Sequence, residues 1–420
     1  MLQGKRITLI VSGGIAAYKS CITARLLMKA GAEVRVVLTE NAARFVTPLT
    51  FEALTSRPAL TTEWLRDPKA TSTAMPHIEL ARESDLLLVM PATANLIAKA
   101  ANGVADDLAS SLIAARRTML VIVPAMNEAM WGCAATQRNA RALRDAGAIL
   151  LGPVRGLQAC GDTGPGRMME PEEVVETVAG LFIPKRLAGR RVLITAGPTY
   201  EAIDPVRGVT NRSSGRQGFA LARAARDAGA EVTLVAGPVS LATPAGVRRI
   251  DVVSARDMDA AVQGALNDRP HDLFIGVAAV ADWRPGAVSP KKIKKDPFGH
   301  SALNDLFWVE NPDVLARVTS RPDAPLAIGF AAETTDGEDL TAFAREKCLR
   351  KHAAAVVAND ARSTLSSESN TIRIVTPSGE ERFGPAAKLD CARFIIDFAA
   401  KRLSDRVTIH ASNEGKSNAD

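Results

Sequence analysis

Cysteine and histidine are scarce in this chain of 420 residues, and each scarcity excludes a class of site. The five cysteines are odd in number and form no C-x-x-C pair, which argues against a disulfide framework and for a reducing compartment. The five histidines show no zinc-type spacing to any cysteine. The sequence therefore predicts neither a disulfide-stabilised domain nor a structural zinc site.

Long apolar runs and the dinucleotide-binding glycine pattern are also missing. No apolar stretch reaches the roughly 18 residues that a membrane-spanning helix needs. The N-terminal segment "MLQGKRITLIVSGG" has a short apolar run that ends in glycines, which is typical of a first strand rather than of a signal peptide. No G-x-G-x-x-G follows that strand, which disfavours an NAD site. We therefore expect a cytoplasmic protein with no membrane partner.

Hydrophobic and charged residues occur in the proportions of an ordinary globular protein, whereas aromatic residues are few. Hydrophobic residues make up 47% and charged residues 23% of the chain, and its length predicts two or three domains. The net charge of +6 is a weak excess that is compatible with phosphate-bearing ligands. Aromatic residues make up only 4%, so few side chains are available to stack on bases, and we expect no nucleic-acid partner.

Short apolar runs alternate with helical segments along the whole chain, which predicts an α/β fold of two doubly wound, parallel-sheet domains. One series begins at "KRITLIV" and a second at "RRVLITAGPT". "NTIRIVTPSGEERF" predicts a late β-hairpin that turns at Ser378–Gly379. The predicted divisions are a first domain over residues 1–180, a linker over 181–190, a second domain over 191–405 and a disordered polar tail over 406–420.

Several loops of the first domain follow predicted strands, where parallel sheets bind ligands. "SGGIAAYK" offers backbone amides for a phosphate or is a plain tight turn, and "PATANLIAK" and "GVADDL" line a cofactor or only punctuate loops. His77 follows Pro76 at a predicted helix start, and Asn127 ends a strand in "VPAMN"; either could be purely structural. Cys160 lies in "GLQACGDTGPGRM", whose glycines and single proline disfavour both regular structure and burial, so its thiol is either functional or an inert exposed group.

The second domain has its own polar segments. Residues 195–218 form a long insert that ends in Ser213-Ser214-Gly215 at a helix start, a candidate anion cradle. Asp282 ends a strand in "GVAAVADWRP", and "NPDVL" begins a helix. "KKIKK" (291–295) and the Lys347/Lys351 pair are either solvated surface or a basic cage for a triphosphate; a nucleic-acid patch at "KKIKK" is a weaker alternative.

These motifs together resemble a known family. "SGGIAAYK", "HIEL", "PATAN", "ADDL", "PAMN" and "GLQACGDTGPGRM" occur in the same order in the flavin-dependent cysteine decarboxylases. Over roughly residues 5–400 the chain resembles the bacterial bifunctional coenzyme A biosynthesis proteins, in which a phosphopantothenoylcysteine decarboxylase is fused to a phosphopantothenate–cysteine ligase. The resemblance implies a flavodoxin-like first domain and a Rossmann-like second domain.

For the first domain the resemblance implies an FMN-dependent decarboxylation. Direct loss of the cysteine carboxylate would leave an unstabilised carbanion, so a cofactor must accept electrons. The substrate thiol becomes a thioaldehyde, loss of CO2 gives an enethiolate, and the electrons then return. Cys160 matches the family's proton donor, His77 the histidine of oxidative decarboxylation and Asn127 the group that grips the carboxylate. The positions that match FMN contacts are Ser12, Gly13, Gly14, Ile15, Thr39, Ala92, Thr93 and Asn95.

For the second domain the resemblance implies that CTP activates the carboxylate of 4'-phosphopantothenate as an acyl-cytidylate, with release of pyrophosphate, before the cysteine amine displaces CMP. Asn211 and Lys292 match residues tied to this chemistry. Mg²⁺ would be held mainly through CTP, with Asp282 as the candidate protein ligand. The positions that match CTP contacts are Gly276, Val277, Ala278, Asp282, Lys292, Pro312, Asp313, Val314, Leu315, Phe330, Lys347 and Lys351.

Two departures and two alternatives accompany this hypothesis. Arg216 and Gln217 stand where the family often has lysine and methionine. A non-catalytic regulatory subunit with the same fold is one alternative, which the joint presence of His77, Asn127 and Cys160 disfavours. A generic NAD(P)-linked oxidoreductase is the other, which the missing glycine pattern disfavours. By analogy with the family we expect a homo-oligomer, with trimeric flavin domains and dimeric ligase domains arranged as a dodecamer.

Overall fold

The computed structural model describes residues 2–61, 75–294, 306–334, 337–360, 362 and 369–417, with side chains up to residue 406. The chain divides into two compact units, Met1–Phe182 and Ile183–Asp420. No helix within the described ranges has both the length and the apolarity to cross a membrane.

The first unit is built on a six-stranded parallel sheet in the order β3-β2-β1-β4-β5-β6, with a separate hairpin of two further strands. A short 3-10 turn at Ile15–Ala17 precedes the first helix. The strands are β1 (Arg6–Val11), β2 (Glu33–Leu38), β3 (Ala59–Leu60), β4 (Leu86–Ala92), β5 (Met119–Pro124), β6 (Ile149–Leu150), β7 (Val154–Leu157) and β8 (Thr163–Arg167). The helices are α1 (Tyr18–Lys29), α2 (Glu40–Ala43), α3 (Pro48–Thr55), α4 (Pro76–Glu83), α5 (Ala94–Asn102), α6 (Leu108–Ala115), α7 (Glu128–Gly132), α8 (Ala134–Asp145) and α9 (Pro171–Leu181).

The central strands are apolar throughout because helices cover both faces of the sheet. All seven residues of β4 are buried, as are five of the six in β1. Their side chains divide between two hydrophobic clusters, with Leu86 and Leu88 in one and Leu87 and Val89 in the other. This is the pattern of a parallel sheet enclosed by crossover helices, and it confirms the predicted fold class.

The chain reverses its direction of travel across the sheet between β1 and β4. From β1 it moves outward to β2 and β3, then returns to β4 on the opposite side. The loops that leave β1 and β4 therefore diverge and open a crevice at the carboxyl ends of these two strands. The motifs that begin at Ser12 and Pro91 lie at this crevice.

The segment around Cys160 differs from the sequence prediction. The expectation that it is neither strand nor helix is wrong for its flanks, since β7 and β8 pair antiparallel and Cys160 lies in the connecting turn. The glycines are needed because other groups approach the backbone closely. A Cβ on Gly164 would overlap the Glu128 carboxylate, and a Cβ on Gly166 would lie 2.4 Å from the Met126 carbonyl oxygen.

The second unit contains an eight-stranded sheet in the order β13-β12-β9-β14-β17-β18-β19-β20, parallel from β13 to β18 and antiparallel beyond. Two small antiparallel ribbons, β10–β11 and β15–β16, form separate two-stranded sheets. The strands are β9 (Arg191–Ala196), β10 (Tyr200–Ala202), β11 (Gly208–Thr210), β12 (Glu231–Ala236), β13 (Arg248–Asp251), β14 (Leu273–Gly276), β15 (Trp283–Pro285), β16 (Trp308–Glu310), β17 (Leu326–Glu333), β18 (Ala355–Asp360), β19 (Ser369–Thr376) and β20 (Gly379–Ala387). The helices are α10 (Arg216–Asp227), α11 (Ala255–Asp268), α12 (Val314–Thr319), α13 (Gly337–Arg350) and α14 (Lys388–Ser417).

Two details at the end of the chain correct the sequence predictions. The β19–β20 hairpin is confirmed, but it turns at Pro377 and Ser378, one residue earlier than predicted. The backbone of α14 continues to Ser417, so residues 406–417 are helical rather than the start of a disordered tail. No proline interrupts this helix and its only glycine is Gly415, so polar composition alone does not end it.

Candidate functional site

The crevice of the first unit contains two adjoining cavities of about 1170 and 670 Å³. Their linings share four residues, so they form one continuous cleft across the ends of β1, β4 and β5. The shared residues are Gly13, Thr93, Ala94 and Met130. Seven of the eight residues predicted to contact FMN line this cleft: Ser12, Gly13, Gly14, Ile15, Thr39, Thr93 and Asn95.

The floor of the cleft is fixed by hydroxyl groups at the ends of the strands. The Ser12 hydroxyl donates to the Pro91 carbonyl at 2.8 Å and accepts from the Thr93 backbone N–H at 3.0 Å. Thr39 and Thr93 begin α2 and α5 as N-caps, their hydroxyls accepting from the backbone N–H groups of Ala42 and Leu96. The polar residues that the sequence placed after strands therefore fix the geometry of the strand–helix turns.

Asn127 and Cys160 meet at the second cavity. Asn127 follows β5 and caps α7, where its side-chain oxygen accepts from the Ala129 N–H at 2.8 Å. Its Nδ2 lies 3.3 Å from the Cys160 Sγ, although 33 residues separate them in sequence. The β7–β8 hairpin brings the thiol there, and it is anchored by the Met126 N–H, which donates to the Gly166 carbonyl at 3.0 Å.

Two neighbours of Cys160 complete this cluster and were not assigned a role from the sequence. The Asp162 carboxylate accepts from Asn127 Nδ2 at 2.7 Å and from the Cys160 thiol at 3.3 Å. Gln158 Oε1 accepts from the Glu128 N–H at 3.0 Å and lies 3.3 Å from Asn127 Nδ2. Gln158 Nε2 is buried and has no hydrogen-bond acceptor among the described residues, although it belongs to a residue that lines the cleft.

The sequence predicted that His77 and Ala92 belong to the site, but neither lines the cleft. His77 lies in the first turn of α4, as expected, but it lines neither cavity of the cleft. Ala92 is fully buried at the end of β4 and contributes its carbonyl to the Ala125 N–H instead of lining the cleft. The structure thus brings Asn127 and Cys160 together and leaves His77 outside their cluster.

A lysine between two carboxylates borders the larger cavity. Lys99 Nζ donates to Asp106 at 2.6 Å and to Asp107 at 2.9 Å, and these hydrogen bonds to the two carboxylates raise the pKa of Lys99. Asp107 also caps α6 through Ser110. The "ADDL" motif therefore ties α5 to α6 beside the cleft, which gives its two acids a structural role.

The second unit has a cavity of about 670 Å³ at the carboxyl ends of β9 and β14, where its own strand order reverses. The Thr195 hydroxyl accepts from the backbone N–H groups of Val277 and Ala278, each at 3.2 Å, across this switch point. Asn211 lines the cavity and donates from Nδ2 to the Ala279 carbonyl at 3.1 Å. The predicted CTP-contacting residues that line it are Gly276, Val277, Ala278, Asp282, Pro312, Asp313, Val314, Leu315, Phe330, Lys347 and Lys351.

Two lysines give this cavity its cationic wall. Lys347 Nζ donates to the Phe330 carbonyl at 2.9 Å, and burial lowers the pKa of Lys347. Lys351 pairs with Asp313, which also caps α12. Burial raises the pKa of Asp313, but the hydrogen bonds from Lys351 and from the Ala316 amide outweigh it, so the net pKa is lowered.

Lys292 and the candidate metal ligand stand apart from this wall. Lys292 is exposed and does not line the cavity, and Lys295 of the same "KKIKK" segment lies outside the described residues. Asp282 lines the cavity together with Glu310, Asp313 and Glu333. No group of three or more histidines, cysteines, aspartates or glutamates suited to a metal ion occurs in the part of the chain that the structure describes.

Comparison with known proteins identifies the chain. The family described as "Flavoprotein" matches residues 1–183, and "DNA/pantothenate metabolism flavoprotein C-terminal domain" matches residues 187–403. The coenzyme A biosynthesis bifunctional protein CoaBC of Vibrio cholerae is 50% identical over 363 residues, covering 86% of this chain and 88% of its own. The chain belongs to the family of bifunctional coenzyme A biosynthesis proteins.

Other members of this bifunctional family match over nearly the full length. CoaBC of Escherichia coli K12 is 42% identical over 96% of this chain and 99% of its own, and that of Bacillus subtilis is 40% identical over 94% and 97%. The crystal structure of a CoaBC C-terminal domain is 37% identical, with a TM-score of 0.44 over 53% of this chain and 99% of its own. The chain is therefore a bifunctional enzyme with a flavoprotein decarboxylase domain and a ligase domain.

The departures at Arg216 and Gln217 lie at the start of α10, after Gly215. Gln217 Nε2 donates to the Lys388 carbonyl at 3.3 Å, and Gln217 Oε1 accepts from Asn370 at 3.4 Å. Gln217 therefore joins α10 to β19 and the start of α14. Both residues border a small cavity of about 110 Å³ whose lining also includes the Ser213-Ser214-Gly215 cradle.

Proposed function

We propose that the second domain ligates cysteine to 4'-phosphopantothenate with CTP and that the first domain decarboxylates the product to 4'-phosphopantetheine with FMN. The observation that carries this proposal is the meeting of Asn127 and Cys160 at a cleft floored by Ser12 and Thr93. These residues come from four separate motifs, and a purely structural role for each would not require them to converge.

The residues of the first cleft fit a flavin. Its lining combines apolar groups, such as Ile15 and Met130, with hydroxyl and amide groups at the strand ends, and the buried Gln158 Nε2 group has no acceptor within the described part of the chain. Ser12, Gly13, Thr39, Thr93 and Asn95 would hold the cofactor. When bound, FMN supplies an acceptor for the two electrons of the substrate thiol and gives them back after CO2 has left.

The chain's own residues then have defined tasks in the decarboxylation. Asn127 Nδ2 donates to the substrate carboxylate and orients it for departure as CO2. The family resemblance assigns His77 to the oxidation and decarboxylation; because His77 lines neither cavity of the cleft in its own chain, this role would need a second copy of the chain to bring it to the cleft. The thiol of Cys160 donates its proton to the enethiolate carbon that had carried the carboxylate.

In the second domain we propose that the triphosphate of CTP binds along the wall formed by Lys347 and Lys351. Their charges would stabilise the charge that develops as pyrophosphate leaves, and a Mg²⁺ ion held mainly by the triphosphate, with Asp282 as its candidate protein ligand, would add to this stabilisation. Lys292 adds a further cation, and Asn211 orients the acyl-cytidylate. The small cavity at Ser213-Ser214-Gly215 shares Val277 and Phe330 with the larger one and offers room for the second substrate.

We further propose the family's assembly of trimeric flavin domains and dimeric ligase domains. Large apolar side chains are exposed in both units, including Ile15, Tyr18 and Leu157 in the first and Trp283 and Trp308 in the second. Apolar surface of this kind is typical of interfaces between copies. A dodecamer would satisfy both symmetries.

The experiment that tests the function supplies purified protein with 4'-phosphopantothenate, cysteine, CTP and Mg²⁺ and follows pyrophosphate and CO2 together. We expect both products in a one-to-one ratio. Pyrophosphate without CO2 would reject the proposed decarboxylase, and no pyrophosphate from the complete mixture would reject the proposed ligase.

The Cys160→Ser variant tests the assignment of the proton donor. Serine keeps the size of the side chain but is a far weaker acid, so CO2 release should continue while the oxidised enethiol product accumulates. Mass spectrometry of the product checks this. Full turnover to 4'-phosphopantetheine by Cys160→Ser would remove Cys160 from its role.

A further inference from the structure

Asp204 is a buried carboxylate in the turn between β10 and β11, and only 1% of its surface is exposed. Its Oδ1 accepts from the backbone N–H groups of Val206 and Arg207, each at 2.8 Å. Its Oδ2 accepts from the Arg207 guanidinium at 2.9 Å (Nε) and 2.6 Å (Nη2). A buried charge is tolerated only when it is paired and hydrogen-bonded, and both oxygens of Asp204 meet this condition.

One bond of Asp204 reaches a distant part of the chain. Its Oδ2 accepts from the Ile293 N–H at 3.2 Å, and Arg207 Nη2 donates to the Ile293 carbonyl at 2.6 Å. The Ser289 N–H donates to the Ile203 carbonyl at 2.9 Å. Residues 289–293 are therefore fastened to the β10–β11 turn at two points, and the Asp204–Arg207 pair forms the second of them.

The same turn controls the position of two residues that the proposed ligase reaction uses. Lys292 directly precedes Ile293 and is exposed, so its backbone is fixed by the Asp204–Arg207 pair while its side chain is free to reach a ligand. Asn211 directly follows β11, the strand that comes after the β10–β11 turn. Asn211 lines the cavity but Lys292 does not. For both side chains to act on one substrate, the segment that carries Lys292 has to be held at a fixed position relative to Asn211.

We infer that Asp204 is a positioning residue of the ligase domain, which holds Lys292 at a set distance from Asn211 and from the triphosphate site. The inference rests on the proposed function, since it acts through Lys292. Asp204 is not among the residues that line the cavity, so it is not itself catalytic. Misplacing a catalytic group by about 1 Å costs up to about 100-fold in rate, which sets the size of the expected effect.

The test uses Asp204→Asn in the full-length enzyme. An asparagine keeps one acceptor oxygen for the turn, but its NH2 group faces Arg207 and the Ile293 N–H, so the connection to Lys292 is lost. We expect kcat for CTP-dependent pyrophosphate release to fall about 10- to 100-fold, with KM for CTP changed by less than about threefold, because Lys292 acts in the transition state.

A double-mutant cycle with Lys292→Gln separates positioning from simple destabilisation. If Asp204 acts through Lys292, adding Asp204→Asn to Lys292→Gln lowers kcat by less than about threefold further. Equal factors in both backgrounds would overturn the inference. A Lys292→Gln variant with the wild-type rate would overturn both the inference and the proposed role of Lys292.

Two further proteins keep the test decisive. Asp227→Asn removes a different buried, arginine-paired carboxylate, at the end of α10, and should keep the ligase rate; an equal loss in both aspartate variants would contradict the inference. If Asp204→Asn does not fold, Ile293→Pro removes the N–H from which Asp204 accepts, and also restricts the backbone of Lys292, so it should reproduce the loss of kcat. A normal rate in Ile293→Pro would overturn the inference.

A readout without turnover reports on the connection itself. Trypsin cleavage within residues 291–294 should be faster in Asp204→Asn than in the wild type and Asp227→Asn, as followed by mass spectrometry of the fragments. Cleavage at the wild-type rate in Asp204→Asn would show that the carboxylate does not hold this segment. Because it needs no substrate, this result separates a failure of the inference from a failure of the proposed function.

Discussion

At the scale of single residues, the side chain of Asn127 is fully engaged. Its oxygen caps α7, and its NH2 group faces Asp162 at 2.7 Å and both Gln158 and Cys160 at 3.3 Å. Two hydrogens therefore meet three acceptors, and a substrate carboxylate has to replace one of them. Of the three acceptors, Asp162 is the one that carries a carboxylate like that of the substrate, and it is exposed on the β7–β8 hairpin.

Replacing Asp162 with alanine should therefore strengthen substrate binding by the decarboxylase domain. The substitution frees an N–H of Asn127 and removes the repulsion between two carboxylates, each an effect of about 1 kcal/mol. We expect KM for phosphopantothenoylcysteine to fall several-fold, measured by CO2 release at fixed FMN. Asp145→Ala, an exposed acid at the end of α8, is the control, and an unchanged KM in Asp162→Ala would refute the competition.

The lowered pKa of Lys347 predicts how the affinity for CTP depends on pH. Burial lowers the pKa of Lys347 in the free enzyme, whereas a bound triphosphate favours the charged ammonium and raises that pKa. Binding therefore takes up a proton when the pH lies between the two values. The affinity for CTP should fall by up to about tenfold per pH unit as the pH rises through the pKa of the free enzyme.

Calorimetric titration of CTP with Mg²⁺ between about pH 7 and 10 checks this dependence, with Lys347→Met as the comparison. The variant has no ammonium at this position, so its binding should be weaker and its pH dependence flatter. Parallel curves for the two proteins would assign the dependence to another group.

At the scale of elements, the β7–β8 hairpin positions Cys160 through close backbone contact. A Cβ on Gly166 would lie 2.4 Å from the Met126 carbonyl oxygen and 2.8 Å from Gln158 Nε2. Gly166→Ala should push the hairpin away from Asn127 and lower the rate of decarboxylation about 10- to 100-fold, without loss of ligase activity. Gly132→Ala, where a Cβ meets nothing within 4 Å, is the matched control. Normal decarboxylation by Gly166→Ala would show that the hairpin adapts.

The same hairpin shows what the sequence could not predict. The central strands were predictable because parallel strands buried on both faces are continuous apolar runs that end in glycine or proline. "TGPGR" contains no apolar run. Its strand arises instead from its pairing with β7 and its packing on α7. The contacts of Asp162 and Gln158 depend on that pairing, so the sequence indicated Cys160 but not its partners.

In the second domain the limit of prediction lies at Asp204. The resemblance to the family indicated Asn211 and Lys347, and both line the cavity. Asp204 is one acid among several in a long insert, and only its burial and its bond to Ile293 distinguish it. Since that bond joins residues 89 positions apart, local sequence carries no signal of it.

At the scale of the whole molecule, the two reactions belong to separate units with separate hydrophobic cores. The lining of each described cavity comes from one unit, so damage to one site should leave the other intact. We expect Lys292→Gln to decarboxylate added phosphopantothenoylcysteine normally and Asn127→Asp to release pyrophosphate normally. Product-specific assays of each variant check this.

Mixing these two variants tests whether the intermediate passes freely between molecules. Each protein retains one intact half, so the mixture should convert 4'-phosphopantothenate to 4'-phosphopantetheine although neither variant does so alone. Mass-spectrometric detection of the final product follows the reaction. A mixture that stops at phosphopantothenoylcysteine would show that the two halves must act within one chain.

Both crevices are spanned by a hydroxyl group that is already in place before any ligand arrives. Ser12 links the end of β1 to the start of α5, and Thr195 links β9 to the residues after β14. The two floors are therefore preorganised, and binding energy is not consumed in ordering them. The hairpin that carries Cys160 and the segment that carries Lys292 are likewise held by hydrogen bonds within the protein, so the cost of ordering the reacting groups is met by folding rather than by substrate binding.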